Sequence, residues 1–192
     1  MIVKSHFSDT ARQAFSFLEE IGFHCKNYHS TSLQYETNQV FVTIVWDPQS
    51  GELNVYIGLQ PREGQSRDDY SLGDILGMQN IEIPERYRPF EVADETQLCK
   101  FIEKLANDTR LYAKAALGGD RMFFRRLRMY RDTQSQALML GMKLRHIRSE
   151  IGEAWNKREF DKVANLYVSI ESYLTEVEKE KLKYAKSQLR EE

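Results

Sequence analysis

The sequence predicts an α+β protein with an N-terminal helix, an antiparallel β-meander, a covering helix and then a C-terminal helical region. Two observations support this class. Residues 33–59 contain two runs in which apolar and polar residues alternate, as they do in half-buried strands. After residue 94 the apolar residues recur at intervals of three and four, as in amphipathic helices. We therefore expect an α+β domain over residues 1–119 and a helical region over residues 120–192 that packs on it.

The two alternating runs predict a β-hairpin. Pro48 fixes φ and Gly51 can take a positive φ, so residues 47–51 favour a turn. Two shorter strands, at residues 23–28 and 32–36, are predicted to precede the hairpin and complete a four-strand meander. The inward positions of the hairpin are Val40, Val42, Ile44, Trp46, Leu53, Val55, Ile57 and Leu59.

A helix is predicted before the meander, over residues 8–21, and Gly22 can end it in a left-handed conformation. After the hairpin, residues 61–69 are polar and rich in turn formers, which predicts a surface loop, and residues 70–77 predict a short helical turn. Residues 81–89 are expected to be irregular or extended. The apolar side of the first helix contains Ala11, Ala14, Phe15, Leu18 and Ile21.

The covering helix is expected to start at a capping box formed by Asp94 and Gln97 and to stop at residues 118–119, which are both glycine. The helical region then predicts helices over residues 120–131 and 134–155, interrupted near residues 132–133, and another over residues 158–174. A second capping box, Thr175 with Glu178, predicts the start of a last helix. The longest apolar stripe contains Leu140, Leu144, Ile147, Ile151 and Trp155.

Charge is distributed unevenly along the chain, although the net charge is only −2. Residues 1–119 hold 17 acidic and 11 basic side chains, residues 120–148 hold 2 and 8, and residues 149–192 hold 10 and 8. A basic segment therefore lies between two acidic ones. Such a distribution concerns binding partners or internal ion pairs and not the fold itself.

The sequence contains no long apolar segment that would predict a secretory signal or a membrane span. Only two cysteines occur, Cys25 and Cys99, which are too few for a disulfide framework and are expected to be free, buried thiols. We therefore expect a cytoplasmic protein without a membrane partner.

No catalytic, cofactor or metal signature is recognised. His24, Cys25 and His29 lie close in sequence, but the remaining ligands of a zinc site are missing and a buried structural cysteine is favoured. The two glycines at 118–119 join predicted helices and lack the spacing of a phosphate-binding loop. We accordingly predict a protein that is not an enzyme and has no cofactor, no metal site and no catalytic residues.

Two charged clusters remain as candidate partner-binding residues. Acidic residues around the polar loop include Asp68, Asp69 and Asp74, for which a solvated surface is favoured over an ion site. Arg121, Arg125 and Arg128, at i, i+4 and i+7, form one stripe of a helix. They either contact phosphates or an acidic protein, or they are a solvated surface that pairs internally with the acidic first part of the chain.

Two segments together carry a resemblance to a family: Val42-Thr43-Ile44-Val45-Trp46-Asp47 with Ser50-Gly51-Glu52-Leu53, and Tyr70-Ser71-Leu72-Gly73-Asp74-Ile75-Leu76. Over residues 15–120 the chain resembles a type of small uncharacterised bacterial protein that occurs among the immunity-like partners of bacterial toxins. The resemblance implies a non-enzymatic protein-binding protein, an immunity-type inhibitor that occludes the surface of a partner toxin. The alternative function is a nucleic-acid-associated protein that uses the basic segment 121–148.

Overall fold

The computed structural model describes residues 6–61, 64, 67–81 and 95–189. It confirms the α+β class, with an N-terminal helix, an antiparallel sheet and a helical C-terminal region. The chain forms two compact units, residues 1–131 and 132–192. The predicted division after residue 119, and the packing of the helical region on the first domain, stay predictions.

The first unit is built on an antiparallel five-stranded sheet in the order β1-β2-β3-β4-β5. The strands are β1 (His24–His29), β2 (Ser32–Glu36), β3 (Val40–Asp47), β4 (Glu52–Leu59) and β5 (Asp69–Ser71). The predicted hairpin is present: β3 pairs with β4 from Val40 opposite Leu59 to Asp47 opposite Glu52. Gly51 takes φ +71° in the turn, as expected for a position that requires a left-handed backbone.

The meander has a fifth strand that was predicted as loop and helical turn. β5 pairs with β4 over three residues, and Tyr70 lies opposite Ile57. Both side chains are buried, so the apolar pattern of the sheet continues into β5. Three residues are too short to show an alternating pattern in the sequence, which is why this strand was missed.

Helices cover the inner side of the sheet. Their bounds are α1 (His6–Ala14), α2 (Phe17–Glu20), α3 (Leu72–Met78), α4 (Glu95–Tyr112), α5 (Lys114–Leu117) and the start of α6 (Arg121–Asn156). The core between helices and sheet includes Phe7, Leu18, Tyr35, Ile44, Ile57, Leu98 and Ile102. The predicted capping residue Asp94 lies outside the described residues, as does most of segment 81–89.

The predicted first helix is in fact two helices, because the chain turns at residues 15–16. Phe15 and Phe17 are both buried. In one straight helix two residues that are two positions apart point about 200° away from each other, so both could not face one core. Gly22 ends the second helix with φ +91°, as predicted.

The basic segment was predicted as two helices, but α6 is continuous from Arg121 to Asn156. The predicted interruption at Asp132 and Thr133 was wrong. Neither residue removes a backbone hydrogen bond, and each costs only about 0.5 kcal/mol relative to alanine inside a helix.

The second unit contains the remainder of α6, α7 (Phe160–Ser169), a 3-10 turn (Glu171–Tyr173) and α8 (Glu176–Gln188). Its own core holds the predicted stripe residues Ile147 and Ile151, with Leu144 and Trp155 partly buried beside them. The predicted capping box is present: Thr175 Oγ1 accepts the backbone N–H of Glu178, and the Glu178 carboxylate accepts that of Thr175. Among the described residues no helix has the length and apolar character needed to cross a membrane.

Candidate functional site

The first turns of α6 combine a buried aromatic side with an arginine-rich side. The carboxylate of Asp120 accepts the backbone N–H groups of Met122 (2.8 Å) and Phe123 (3.2 Å) and so caps the start of the helix. Phe123, Phe124 and Leu127 are buried against the core of the first unit. This packing fixes the rotation of α6 about its axis and therefore the direction in which its arginines project.

A cleft of about 640 Å³ lies beside these arginines, within the first unit. It is lined by Asn38, Gln39, Leu59, Gln60, Pro61, Asp68, Tyr70, Gly119, Arg121, Phe124, Arg125 and Arg128. The polar lining thus consists mainly of guanidinium and amide groups, with one carboxylate. Such a lining is rich in hydrogen-bond donors and positive charge, which suits an anionic ligand. We call this feature the arginine cleft.

Two turns meet at one end of the arginine cleft. In the turn between β2 and β3, Thr37 Oγ1 accepts the N–H groups of Gln39 (3.2 Å) and Val40 (3.0 Å). In the turn before α6, Gly119 takes φ +72°, and a Cβ at this position would lie 2.8 Å from Gln39 Oε1. The backbone conformation therefore favours glycine at 119, and the end of the Gln39 side chain lies close to it. The approach of Gln39 to Gly119 places the amide-lined side of the cleft next to its arginine-lined side.

Asp68 is the centre of an ion-pair network at the arginine cleft. Its Oδ2 accepts hydrogen bonds from Arg128 Nη2 (2.8 Å) and from the Tyr70 hydroxyl (2.9 Å), and its Oδ1 accepts one from Arg131. Arg131 also donates to the backbone carbonyl of Asp69 (2.9 Å) and stacks on the Tyr70 ring, 4.3 Å from its centroid. Burial acts to raise the pKa of Asp68, but the hydrogen bonds from the arginines and tyrosine outweigh it and hold this pKa below its usual value. Asp68 is therefore ionised at neutral pH.

Among the described residues Arg121 and Arg125, unlike Arg128, have no ion-pair partner. Both side chains are exposed, and within residues 6–61, 64, 67–81 and 95–189 no carboxylate lies within ion-pair distance of either. They are therefore available to a ligand. The predicted stripe thus divides into two arginines that face solvent and one that is already paired.

Arg148 of the basic segment also forms an ion pair within the protein. In the second unit, Arg148 Nε and Nη2 donate to the two carboxylate oxygens of Glu178 at 2.7 and 3.1 Å. The hydrogen bonds from Arg148 are the main cause that lowers the pKa of Glu178 to about 2. Asp68 thus offsets one of the two positive charges of Arg128 and Arg131, and Glu178 offsets that of Arg148, so the free positive charge of the segment is smaller than its composition suggests.

The acidic candidates from the polar loop have separate positions. Asp68 is part of the arginine cleft, whereas Asp69 belongs to β5 and pairs with Gly58. Asp74 forms a capping box at the start of α3, where its carboxylate accepts the backbone N–H of Ser71 at 3.0 Å. The structure therefore brings Asp68 together with Arg121, Arg125 and Arg128, and it places Asp74 at a helix start.

The residues considered for a metal or nucleophile are dispersed. Cys25 and Cys99 carry no disulfide and are half-buried, less deeply than predicted, and burial raises the pKa of the Cys25 thiol. His24 lies 3.6 Å from the carboxylate of Glu36. Among the described residues no group of three or more histidine, cysteine or acidic side chains is arranged to hold a metal ion.

Sequence reasoning missed half of the arginine cleft. Asn38, Gln39 and Gln60 belong to turns and strand ends whose proximity to α6 follows only from the tertiary fold. Arg131 offered a signal, since it lies three residues after Arg128 and therefore on a neighbouring position of the same helix side.

Comparison with protein-family models, with curated proteins and with solved structures finds no match to this chain.

Proposed function

We propose that this chain is a non-enzymatic protein-binding protein that holds an acidic segment of a partner protein in the arginine cleft. The observation that carries the proposal is the pair of exposed guanidinium groups, Arg121 and Arg125, which lack an internal carboxylate in the part of the chain that the structure describes. Guanidinium groups bind carboxylates through two parallel hydrogen bonds and are well suited to acidic protein surfaces.

The titration behaviour of the cleft supports binding rather than proton transfer. The guanidinium and amide groups keep their protonation state at neutral pH. Asp68 has a lowered pKa and stays ionised, and burial raises the pKa of Tyr70, which stays protonated. None of these groups is therefore poised to exchange a proton near pH 7, as a general acid or base must be.

A nucleic-acid ligand is the alternative, because exposed arginines also neutralise phosphates. Two features favour the acidic protein. The aromatic side chains of the cleft, Tyr70 and Phe124, are buried and present no ring face on which a base could stack. In addition, Asp68 pairs with both Arg128 and Arg131 and offsets one of their two positive charges, which reduces the positive charge available to a polyanion.

The two ligands are distinguished by fluorescence anisotropy with two labelled probes, an octaglutamate peptide and an oligothymidine of equal charge. We expect the peptide to bind and the Arg121→Gln/Arg125→Gln protein to bind it about tenfold more weakly, the combined effect of two exposed ion pairs of at most about 1 kcal/mol each. The Lys143→Gln/Arg145→Gln protein is the matched control, since it removes the same charge from exposed positions of α6 outside the cleft.

Nucleic-acid binding would become the favoured function under two conditions. Oligothymidine would have to bind more tightly than octaglutamate at about 200 mM salt, and the Arg121→Gln/Arg125→Gln protein would have to bind it more weakly than the wild type. Equal losses in the cleft variant and in the control would show that only the net charge matters and would remove the cleft from the proposal.

For the biological role we propose immunity-type inhibition, in which the bound chain occludes the active surface of a toxin. The resemblance of residues 15–120 to immunity-like proteins supports this role. The test is to identify the genes beside this one and to co-express the product of any toxin-like gene among them with this chain. We expect the wild type, but not the Arg121→Gln/Arg125→Gln protein, to relieve growth inhibition; equal protection by both would contradict a role for the cleft.

A further inference from the structure

The arginine cleft already contains a carboxylate, and its position indicates how a ligand would bind. Asp68 Oδ2 lies 2.8 Å from Arg128 Nη2, the geometry of a charge-assisted hydrogen bond. Asp68 belongs to the protein itself and reaches Arg128 from the β5 side of the cleft. Its carboxylate thus occupies at Arg128 the position that an aspartate or glutamate side chain of a partner would take.

The Asp68–Arg128 contact is the part of the network that a ligand can replace. Arg128 is 64% exposed and Asp68 is its ion-pair partner, whereas the carboxylate of Asp68 has two further donors, Arg131 and Tyr70. If Arg128 turns to a ligand, Asp68 therefore remains hydrogen-bonded on both oxygens. The exchange replaces one carboxylate by another at Arg128 and leaves no charge unpaired.

The spacing of the three arginines sets the spacing of the acidic groups that they can bind. An α-helix rises about 1.5 Å per residue, so Arg128 lies about 7.5 Å along α6 from the midpoint of Arg121 and Arg125. In an extended peptide, side chains at i and i+2 point the same way and are about 6.8 Å apart. Neighbouring side chains, i and i+1, point to opposite sides. The match therefore selects acidic residues that are separated by one residue.

We propose that the arginine cleft binds an extended segment with the pattern acidic-x-acidic, one carboxylate on Arg121 and Arg125 and the second on Arg128 in place of Asp68. The proposal rests on the proposed function, because it assumes that an acidic protein segment enters the cleft. It adds the sequence pattern of the ligand and an internal competitor that limits its affinity.

Three labelled peptides of equal length, made otherwise of glycine and serine, test the pattern by anisotropy. One carries Glu-Ser-Glu, one carries adjacent glutamates, Glu-Glu-Ser, and one carries a single glutamate. For the wild type we expect Glu-Ser-Glu to bind about threefold to fivefold more tightly than the single-glutamate peptide, the gain of one half-exposed ion pair, and the Glu-Glu-Ser peptide to gain less than half as much.

Two variants then locate the second carboxylate. Arg128→Gln should remove the advantage of Glu-Ser-Glu while it leaves the affinity for the single-glutamate peptide within a factor of two. Asp68→Asn should instead enlarge the advantage by about threefold or more, because the competitor at Arg128 has lost its charge. Thermal denaturation of both variants verifies that they are folded, and if Asp68→Asn is not, the Arg128→Gln comparison decides alone.

The possible failures are separable. If Arg121→Gln/Arg125→Gln weakens peptide binding as expected but Glu-Ser-Glu has no advantage, or if Arg128→Gln leaves that advantage intact, the acidic-x-acidic pattern is wrong and the proposed function stands. Weaker binding to folded Asp68→Asn would show that Asp68 organises the cleft and does not compete with the ligand. If no acidic peptide binds to the wild type or to Asp68→Asn, both the pattern and the proposed function are overturned.

Discussion

Glu178→Gln is the most informative change in the second unit, because one carboxylate both caps α8 and pairs with α6. Glu178 accepts two hydrogen bonds from Arg148, at 2.7 and 3.1 Å, and a third from the backbone N–H of Thr175 at 2.8 Å. Glutamine keeps the size of the side chain but removes its charge. The change therefore measures the ion pair more than the packing.

The expected loss of stability in Glu178→Gln follows from the pKa of Glu178. Folding lowers this pKa from 4.5 to about 2, chiefly because Arg148 donates hydrogen bonds to the carboxylate. At about 1.36 kcal/mol per pKa unit this shift corresponds to at most about 3 kcal/mol. The Arg148 side chain is 38% exposed, so water screens the pair and we expect about 1 to 2 kcal/mol. The carboxyl pKa is lowered by folding, so this stability is present above about pH 5 and is lost as the pH falls towards 2.

Urea denaturation at pH 7, 5 and 3.5, followed by tryptophan fluorescence, tests this expectation. The chain has two tryptophans, and only Trp155 belongs to the second unit, so a Trp46→Phe background isolates its signal. Trp46 Nε1 has no hydrogen-bond partner in the described structure, which makes phenylalanine a suitable replacement. We expect Glu178→Gln to lower the free energy of unfolding by about 1 to 2 kcal/mol at pH 7 and by clearly less at pH 3.5.

Glu180→Gln is the matched control, because Glu180 pairs with Lys183 on the same helix but both side chains are at least 70% exposed. Its effect should stay within about 0.5 kcal/mol at each pH. A Glu178→Gln effect that is the same at pH 7 and pH 3.5 would refute the electrostatic reasoning, and so would an effect no larger than that of the control.

Two further predictions concern packing. Ile147→Ala and Ile151→Ala should each lower the free energy of unfolding by about 2 to 4 kcal/mol, measured with the same Trp155 signal. Leu144 is only half-buried, so Leu144→Ala should lower it by about 1 to 2 kcal/mol. Losses below about 0.5 kcal/mol at both isoleucines would contradict their placement in the core. Gly58→Ala should cost more than about 2 kcal/mol, because its Cβ would lie 2.4 Å from both the backbone oxygen of Asp68 and Phe41 Cζ. Thermal denaturation measures this loss, with Gly141→Ala as the control. Gly141 is a helical position with open space around it, so its change to alanine should be neutral or stabilising by up to about 1 kcal/mol. Equal effects of Gly58→Ala and Gly141→Ala would contradict the close approach of β5 to β4.

The parts of the fold that were predictable have strong local signals. In the hairpin an apolar residue occupies every second position of both strands, and the turn contains a proline and a glycine. The capping box of Thr175 and Glu178 is likewise a short-range pattern that the structure contains. In these places the local preference of the chain and its tertiary packing agree, so the sequence alone was sufficient.

Two of the errors in the predicted elements occur where tertiary packing decides against the local pattern. The first helix breaks so that Phe15 and Phe17 can both be buried. β5 exists because Tyr70 completes the buried row next to Ile57. In α6 the opposite holds: Asp132 and Thr133 lower helix propensity only slightly, and the helix continues through them.

The arginine cleft shows what a sequence pattern can and cannot predict about a site. The spacing of Arg121, Arg125 and Arg128 correctly placed three cations on one side of a helix, a relation that depends only on helical geometry. Arg128 differs from the other two arginines because it is paired with Asp68. Asp68 is 60 residues away from Arg128 in the chain and reaches it only because β5 pairs with β4. At the level of sequence the alternatives were a stripe that contacts phosphates or an acidic protein and a solvated stripe that pairs internally. The structure pairs Arg128 with Asp68 and leaves Arg121 and Arg125 without a carboxylate partner among the described residues, so Arg128 is where a ligand carboxylate and Asp68 would compete.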